Sequence, residues 1–154
     1  IMNEVLRAQE MLEADYGVAA DVWSVTSYKE LRQDAMDTER WNMLHPASKA
    51  KVPYVSKCLD KTEGPVIAAS DYMKILPDGI GKWVRGGLTT LGTDGFGRSE
   101  DRVSLRDFFE VDARFIVLAT LTALLRQGKV KADLVKEAMH DLGISANKAN
   151  PVYM

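Results

Sequence analysis

The chain has 154 residues, with 20 Lys and Arg against 22 Asp and Glu, a net charge of -2 and a pI near 5.7. That length suits one ordinary domain with a genuine core, and the balanced charge argues against a general nucleic-acid binder or a polybasic membrane-surface protein. Hydrophobic residues make up 46% and Gly and Pro are ordinary, which excludes wholesale disorder, while a lone cysteine, Cys58, excludes an intrachain disulfide and makes cytoplasmic residence the default expectation.

In chain order, Met2, Val5, Leu6, Ala8, Leu12 and Tyr16 fall on one side of a helical wheel, with Asn3, Glu4, Arg7, Glu10 and Glu13 mostly opposite. That predicts an amphipathic helix stopped by Gly17. Its opening has neither the basic nor the apolar region of a secretory signal. Ile1 runs into the helix with no cap before it, a first hint of a fragment. Ala20–Val25 (ADVWSV) is short and rich in β-formers, and is expected as a strand. Ser27 with Glu30 forms a capping box opening a second helix, which His45-Pro46 ends near Leu44.

Val52–Lys61 fits either period, with Pro53 suited to a first helical turn. Pro65–Ser70 (PVIAAS) is the compact apolar run of a buried parallel strand. Asp71–Trp83 reads as helix interrupted around Pro77, Gly79 and Gly81. Leu88–Gly92 is a further strand, leading into the glycine-rich turn GTDGFGRS. Ser104–Phe109 is a short helix and Asp112–Arg126 a long one closed by Gly128. Within it, Phe115–Leu125 is the longest apolar stretch, eleven residues broken by Thr120 and Thr122, against the roughly 20 that span a bilayer. Leu134, Val135, Ala138, Met139 and Leu142 trace a last amphipathic stripe up to Gly143. Helices alternating with short apolar strands imply one α/β layered domain with a mostly parallel sheet. Three strands are few, so the sheet reads as one missing a member.

Chemistry is sparse. Gly92, Asp94, Gly95, Phe96, Gly97, Arg98 and Ser99 form the most distinctive loop, able to cradle a phosphate by its amides. Its order is G-x-x-G-x-G rather than the dinucleotide G-x-G-x-x-G, and the next helix begins too late for that motif. The simpler reading is a structured turn needing positive φ at two or three positions. Gly81-Lys82 fails as a P-loop, with Trp83 where a magnesium-binding Ser or Thr belongs and Leu76 in place of the first glycine. His45, His140 and Cys58 are far apart and lack the paired spacing of a zinc site. Cys58 in an apolar context reads as inert packing. The carboxylates Asp34, Asp37 and Glu39, and likewise Glu100 and Asp101, read as solvated faces. Trp41, Met43, Leu44 and Tyr54 bracket the His-Pro turn as core or as part of a subunit interface.

Three segments in the same order carry a family resemblance: DVWSVTSYKELRQDAMDTERWNMLHP (Asp21–Pro46), AASDYMK (Ala68–Lys74) and LGTDGFGRSEDRVSLRDFFEVDA (Leu91–Ala113). With the terminal KANPVYM they resemble the C-terminal domain of homodimeric-type pyruvate dehydrogenases, and more loosely that of transketolases, which share a GxDxFGxS turn. The resemblance implies a three-layer α/β/α domain with a mixed, mainly parallel sheet, serving packing and dimerisation. The full-length family enzyme uses thiamine diphosphate and magnesium to decarboxylate pyruvate. It then passes the acetyl group to the lipoyl group of a dihydrolipoyl acetyltransferase component.

The diphosphate motif GDG with its downstream asparagines is absent here, so no catalytic, cofactor-binding or metal role carries over to any residue. The expected partners are sister domains, a homodimer mate and the acetyltransferase, with no nucleic acid and no membrane. In the family a strand precedes the helix that begins here at Met2, so residues 1–154 are expected to be a fragment of a longer multidomain chain, lacking its first strand. The alternative is a free-standing α/β module binding a small anion or nucleotide at GTDGFGRS, through Arg98 and the amides of Gly95 and Phe96. Asp94, Arg98 and Ser99 also have polar capacity to hold a conformation at a domain junction.

Overall fold

A computed structural model describes residues 1–154. The first helix, α1 (Met2–Tyr16), buries Ala8 and Leu12, one turn apart on its apolar stripe, and ends where Gly17 turns left-handed at φ 62. Ser27 caps the second helix, α2 (Tyr28–Leu44), its Oγ accepting the Glu30 N–H at 3.2 Å. The Glu30 carboxylate does not return the bond and lies 3.2 Å from Lys29 Nζ, so only half of the expected capping box forms. Pro53 stands just ahead of α3 (Tyr54–Leu59), which settles the ambiguous Val52–Lys61 segment as helix.

The sheet has two parallel strands, β1 (Val66–Ala69) and β2 (Leu88–Leu91), with Val66 opposite Leu88 and Ala69 opposite Leu91. Between them the expected interrupted helix is a single turn, α4 (Ile75–Asp78), followed by a 3-10 turn at Gly81–Trp83. Then come α5 (Arg102–Phe108), α6 (Ala113–Arg126) and α7 (Ala132–Asp141), with a 3-10 turn at Pro151–Tyr153. Asp101 and Asp112 cap α5 and α6, and Gly128 and Gly143 turn left-handed after α6 and α7.

Successive strand side chains point to opposite faces, so the register places Val66 and Leu88 on one side of the sheet and Ala69 and Leu91 on the other. Ala69 and Leu91 pack on the main core, built by Ala8 and Leu12 of α1, Ala113, Ile116, Val117 and Leu121 of α6, and Val135 and Ala138 of α7. Val66 and Leu88 pack on a smaller core of Val55, Ile80 and Val84, closed by Tyr28 and Leu31 of α2. Three layers result, as the α/β/α reading requires. Leu121 is fully enclosed, a burial that contributes about 1.5–3 kcal/mol.

Ala20–Val25 is not a strand. Its burial still alternates, with Val18, Ala20 and Val22 half-buried and Ala19, Asp21 and Trp23 exposed. No backbone amide from Ala19 to Val25 donates to another backbone carbonyl, and the Ala20 carbonyl accepts from the Gln9 side chain instead. β-propensity and patterning fit a chain to a sheet, but a ladder needs a neighbouring edge, and this segment pairs with none. The first strand has such an edge to spare. Val66 and Ser70 donate to Gly87 and Leu91 carbonyls, so the intervening Ile67 and Ala69 turn their amides away from β2, where no strand pairs with them.

Candidate functional site

The loop from Gly92 to Ser99 leaves the carboxyl end of β2, beside the residues that leave the carboxyl end of β1. Gly92 is demanded by packing. A Cβ there would lie 2.4 Å from the Tyr72 carbonyl oxygen and 2.9 Å from the Lys74 nitrogen. This close approach lets the Thr93 amide donate to the Tyr72 carbonyl at 2.9 Å. Asp94 continues the clamp: its Oδ1 accepts the Lys74 N–H at 3.0 Å and its Oδ2 lies 3.7 Å from the Lys74 ammonium. Gly95 alone in the loop has a positive φ, 102°, and the C-terminal tail passes over it, with the Pro151 carbonyl 3.0 Å from where a Cβ would sit. The turn therefore needs one left-handed position rather than two or three, because Gly92 is there for space. A Cβ on Gly97 would meet nothing within 4 Å.

Beyond Gly95 the loop is open. Phe96 is 78% exposed, and the Arg98 guanidinium lies over the Phe108 ring at 5.2 Å. Neither Arg98 nor Ser99 makes a side-chain hydrogen bond. Of Asp94, Arg98 and Ser99, Asp94 is the one whose side chain is hydrogen-bonded, to Lys74 of this same chain.

The strongest polar assembly beside the loop involves residues that sequence spacing did not single out. Arg106 of α5 donates to Asp71, just after β1, at 3.1 and 2.8 Å, and to Glu4 of α1 at 3.3 Å. Glu4 also accepts the Ala113 N–H at the start of α6, at 3.0 Å. Four elements meet through these side chains. Hydrogen bonds from Arg106 hold the Asp71 carboxyl well below its ordinary range. Next to it Arg114 binds Asp112 at 2.9 Å and also pairs with Asp107. No periodicity signals these contacts, since they join positions as many as 109 residues apart.

The acidic run on α2 is also more than a solvated face. Asp34 accepts the Tyr54 N–H at 2.7 Å, and Glu39 accepts from Trp83 Nε1 at 3.0 Å and Lys82 Nζ at 2.8 Å. These bonds clip α2 to α3 and to the 3-10 turn, and they pull the Glu39 carboxyl below its ordinary range. Asp101 is likewise structural, accepting the Val103 and Ser104 amides at 2.9 and 3.0 Å. Trp41 stacks on His45 at 4.3 Å with Lys51 3.9 Å above its ring, a surface clasp beside exposed Met43 and Leu44. His140 is exposed beside Asp141, and half-buried Cys58, one turn along α3, raises the Tyr54 phenol. No three His, Cys, Asp or Glu side chains converge where they could hold a metal ion, and no helix is long and apolar enough to cross a membrane.

Residues 1–112 match the family described as transketolase-like C-terminal domains. The chain is 49% identical over 153 residues to the pyruvate dehydrogenase E1 component of Pseudomonas aeruginosa, covering 99% of this chain and 17% of that protein. It is 43% identical over 152 residues to the protein of the same name from Escherichia coli K12, again covering 17% of it. With the Mycolicibacterium smegmatis protein of that name, identity is 44% over 137 residues, 89% of this chain and 15% of the other. The chain thus spans about a sixth of the length of the curated relatives it matches.

Proposed function

The chain belongs to the family of transketolase-like C-terminal domains, and from that premise we propose that it is the packing and dimerisation domain of a pyruvate dehydrogenase E1 component. End-to-end identity of 49% to such a component carries the reading. The whole enzyme would decarboxylate pyruvate with thiamine diphosphate, in the cytoplasm, and pass the acetyl group to a lipoyl-bearing acetyltransferase. This span would not do that chemistry. No side-chain cluster here suits a magnesium ion, and the carboxylates near the loop are spent on Lys74, Arg106 and backbone amides. Its contribution would be a rigid three-layer block to which sister domains and a dimer mate attach.

The unpaired edge of β1 supports placing residues 1–154 within a longer chain. Ile67 and Ala69 offer strand amides to a parallel neighbour, and an edge of this kind is ordinarily covered. In a full-length enzyme, deleting the span equivalent to residues 1–154 is expected to abolish the dimer, read by sedimentation velocity. A deletion variant that keeps wild-type dimer mass and turnover would overturn the proposal.

A further inference from the structure

The loop that the family reading leaves without a role borders a cleft of about 710 Å³, within the range of small-molecule sites. We propose that this cleft binds an organic oxyanion, a carboxylate or phosphate ester carried on an apolar body. Two of the guanidiniums that line it, Arg98 and Arg102, have no ion-pair partner, while the third, Arg106, is already paired with Asp71 and Glu4.

The carboxylates nearby are all engaged. Asp71 and Glu4 are held by Arg106, Asp94 by Lys74, Asp101 by Ser104, and Glu100 accepts the Asp101 N–H at 3.2 Å. Arg98 and Arg102 have no carboxylate partner at all. Nor does any backbone amide from Asp94 to Glu100 donate within the chain. Guanidinium forks and backbone amides without partners, on residues that line one cleft, are the kinds of donor an oxyanion needs. The floor is apolar, made by Leu105 with the buried Phe109 and Val111, and exposed Tyr72 and Met73 stand at the rim. Such a surface accepts the body of a ligand that free phosphate would leave uncovered.

The probe is phenyl phosphate, titrated calorimetrically into the chain at low ionic strength, where charge pairing is least screened. One saturable site is expected, with inorganic phosphate binding more weakly because it leaves the apolar floor wet. An Arg98→Gln/Arg102→Gln double variant is expected to lose at least about tenfold in affinity, the scale of one charge-assisted hydrogen bond. An Arg7→Gln/Arg126→Gln variant removes the same charge elsewhere and keeps the affinity. Melting curves establish that both variants are folded. Absence of saturable binding, equal affinity in the Arg98/Arg102 variant, or an equal loss in the control variant would each overturn the proposal.

Discussion

Replacing Arg106 by methionine tests whether the polar junction behind the loop holds the layers together. Methionine keeps the length and packing of the stem and deletes the fork that donates to Asp71 at 3.1 and 2.8 Å and to Glu4 at 3.3 Å. The two partners differ in what they lose. Asp71 is 47% exposed, so water replaces most of its bonds and that part costs no more than about 1 kcal/mol. Glu4 is 19% exposed and keeps only the Ala113 N–H, so stranding its charge costs about 1–2 kcal/mol. Together they predict a loss of about 1–3 kcal/mol, which lowers the melting temperature by about 2–12 °C in a domain of this size. Guanidinium unfolding followed by circular dichroism reads it. A double-mutant cycle with Glu4→Gln is expected to show about 1 kcal/mol of coupling. Arg106→Lys keeps the charge but not the fork, and recovers less than half of the loss. A loss below about 0.5 kcal/mol in Arg106→Met would refute the reasoning, because surface substitutions fall in that range.

Asp71 supplies a pH test. Its folded pKa of about 2 lies below the ordinary 3.8, so its contribution is complete above the ordinary value and is lost as pH falls through the folded one. Discounted for exposure, that is about 1 kcal/mol disappearing between roughly pH 4 and pH 2. Asp71→Asn removes it, leaving a flatter acid limb in urea midpoints measured against pH, and an unchanged limb contradicts the assignment. Gly92→Ala places a methyl 2.4 Å from the Tyr72 carbonyl and costs about 2–3 kcal/mol, whereas Gly97→Ala, with nothing within 4 Å, stays within about 0.5. Equal melting points for these two variants would show that the loop has room the structure denies it.

Local chemistry made much of the fold legible. Gly17, Gly128 and Gly143 end helices in the left-handed conformation because a residue without Cβ adopts it freely, and Asp112 caps α6 because a short carboxylate reaches the first amides. The apolar runs at Val66 and Leu88 pair as parallel strands because both faces of that sheet are covered by helices. Ala20–Val25 reads as a strand for the same local reasons, yet pairing is a property of two segments and no single window contains it. The candidate loop divides in the same way. Asp94 has a local partner segment and a visible excess of polar capacity. The need for glycine at position 92 comes from Tyr72 and Lys74, and the tail over Gly95 comes from Pro151, at the far end of the chain. Arg106 was invisible because its carboxylates lie on α1 and after β1, brought together only when the helical layer closes on the sheet.

Titrating thiamine diphosphate and magnesium into the isolated 154-residue chain tests the central claim most directly. A domain that packs and dimerises while the cofactor is held elsewhere predicts a flat calorimetric trace and no decarboxylation of pyruvate. Stoichiometric, saturable binding of the cofactor by this chain alone would contradict it.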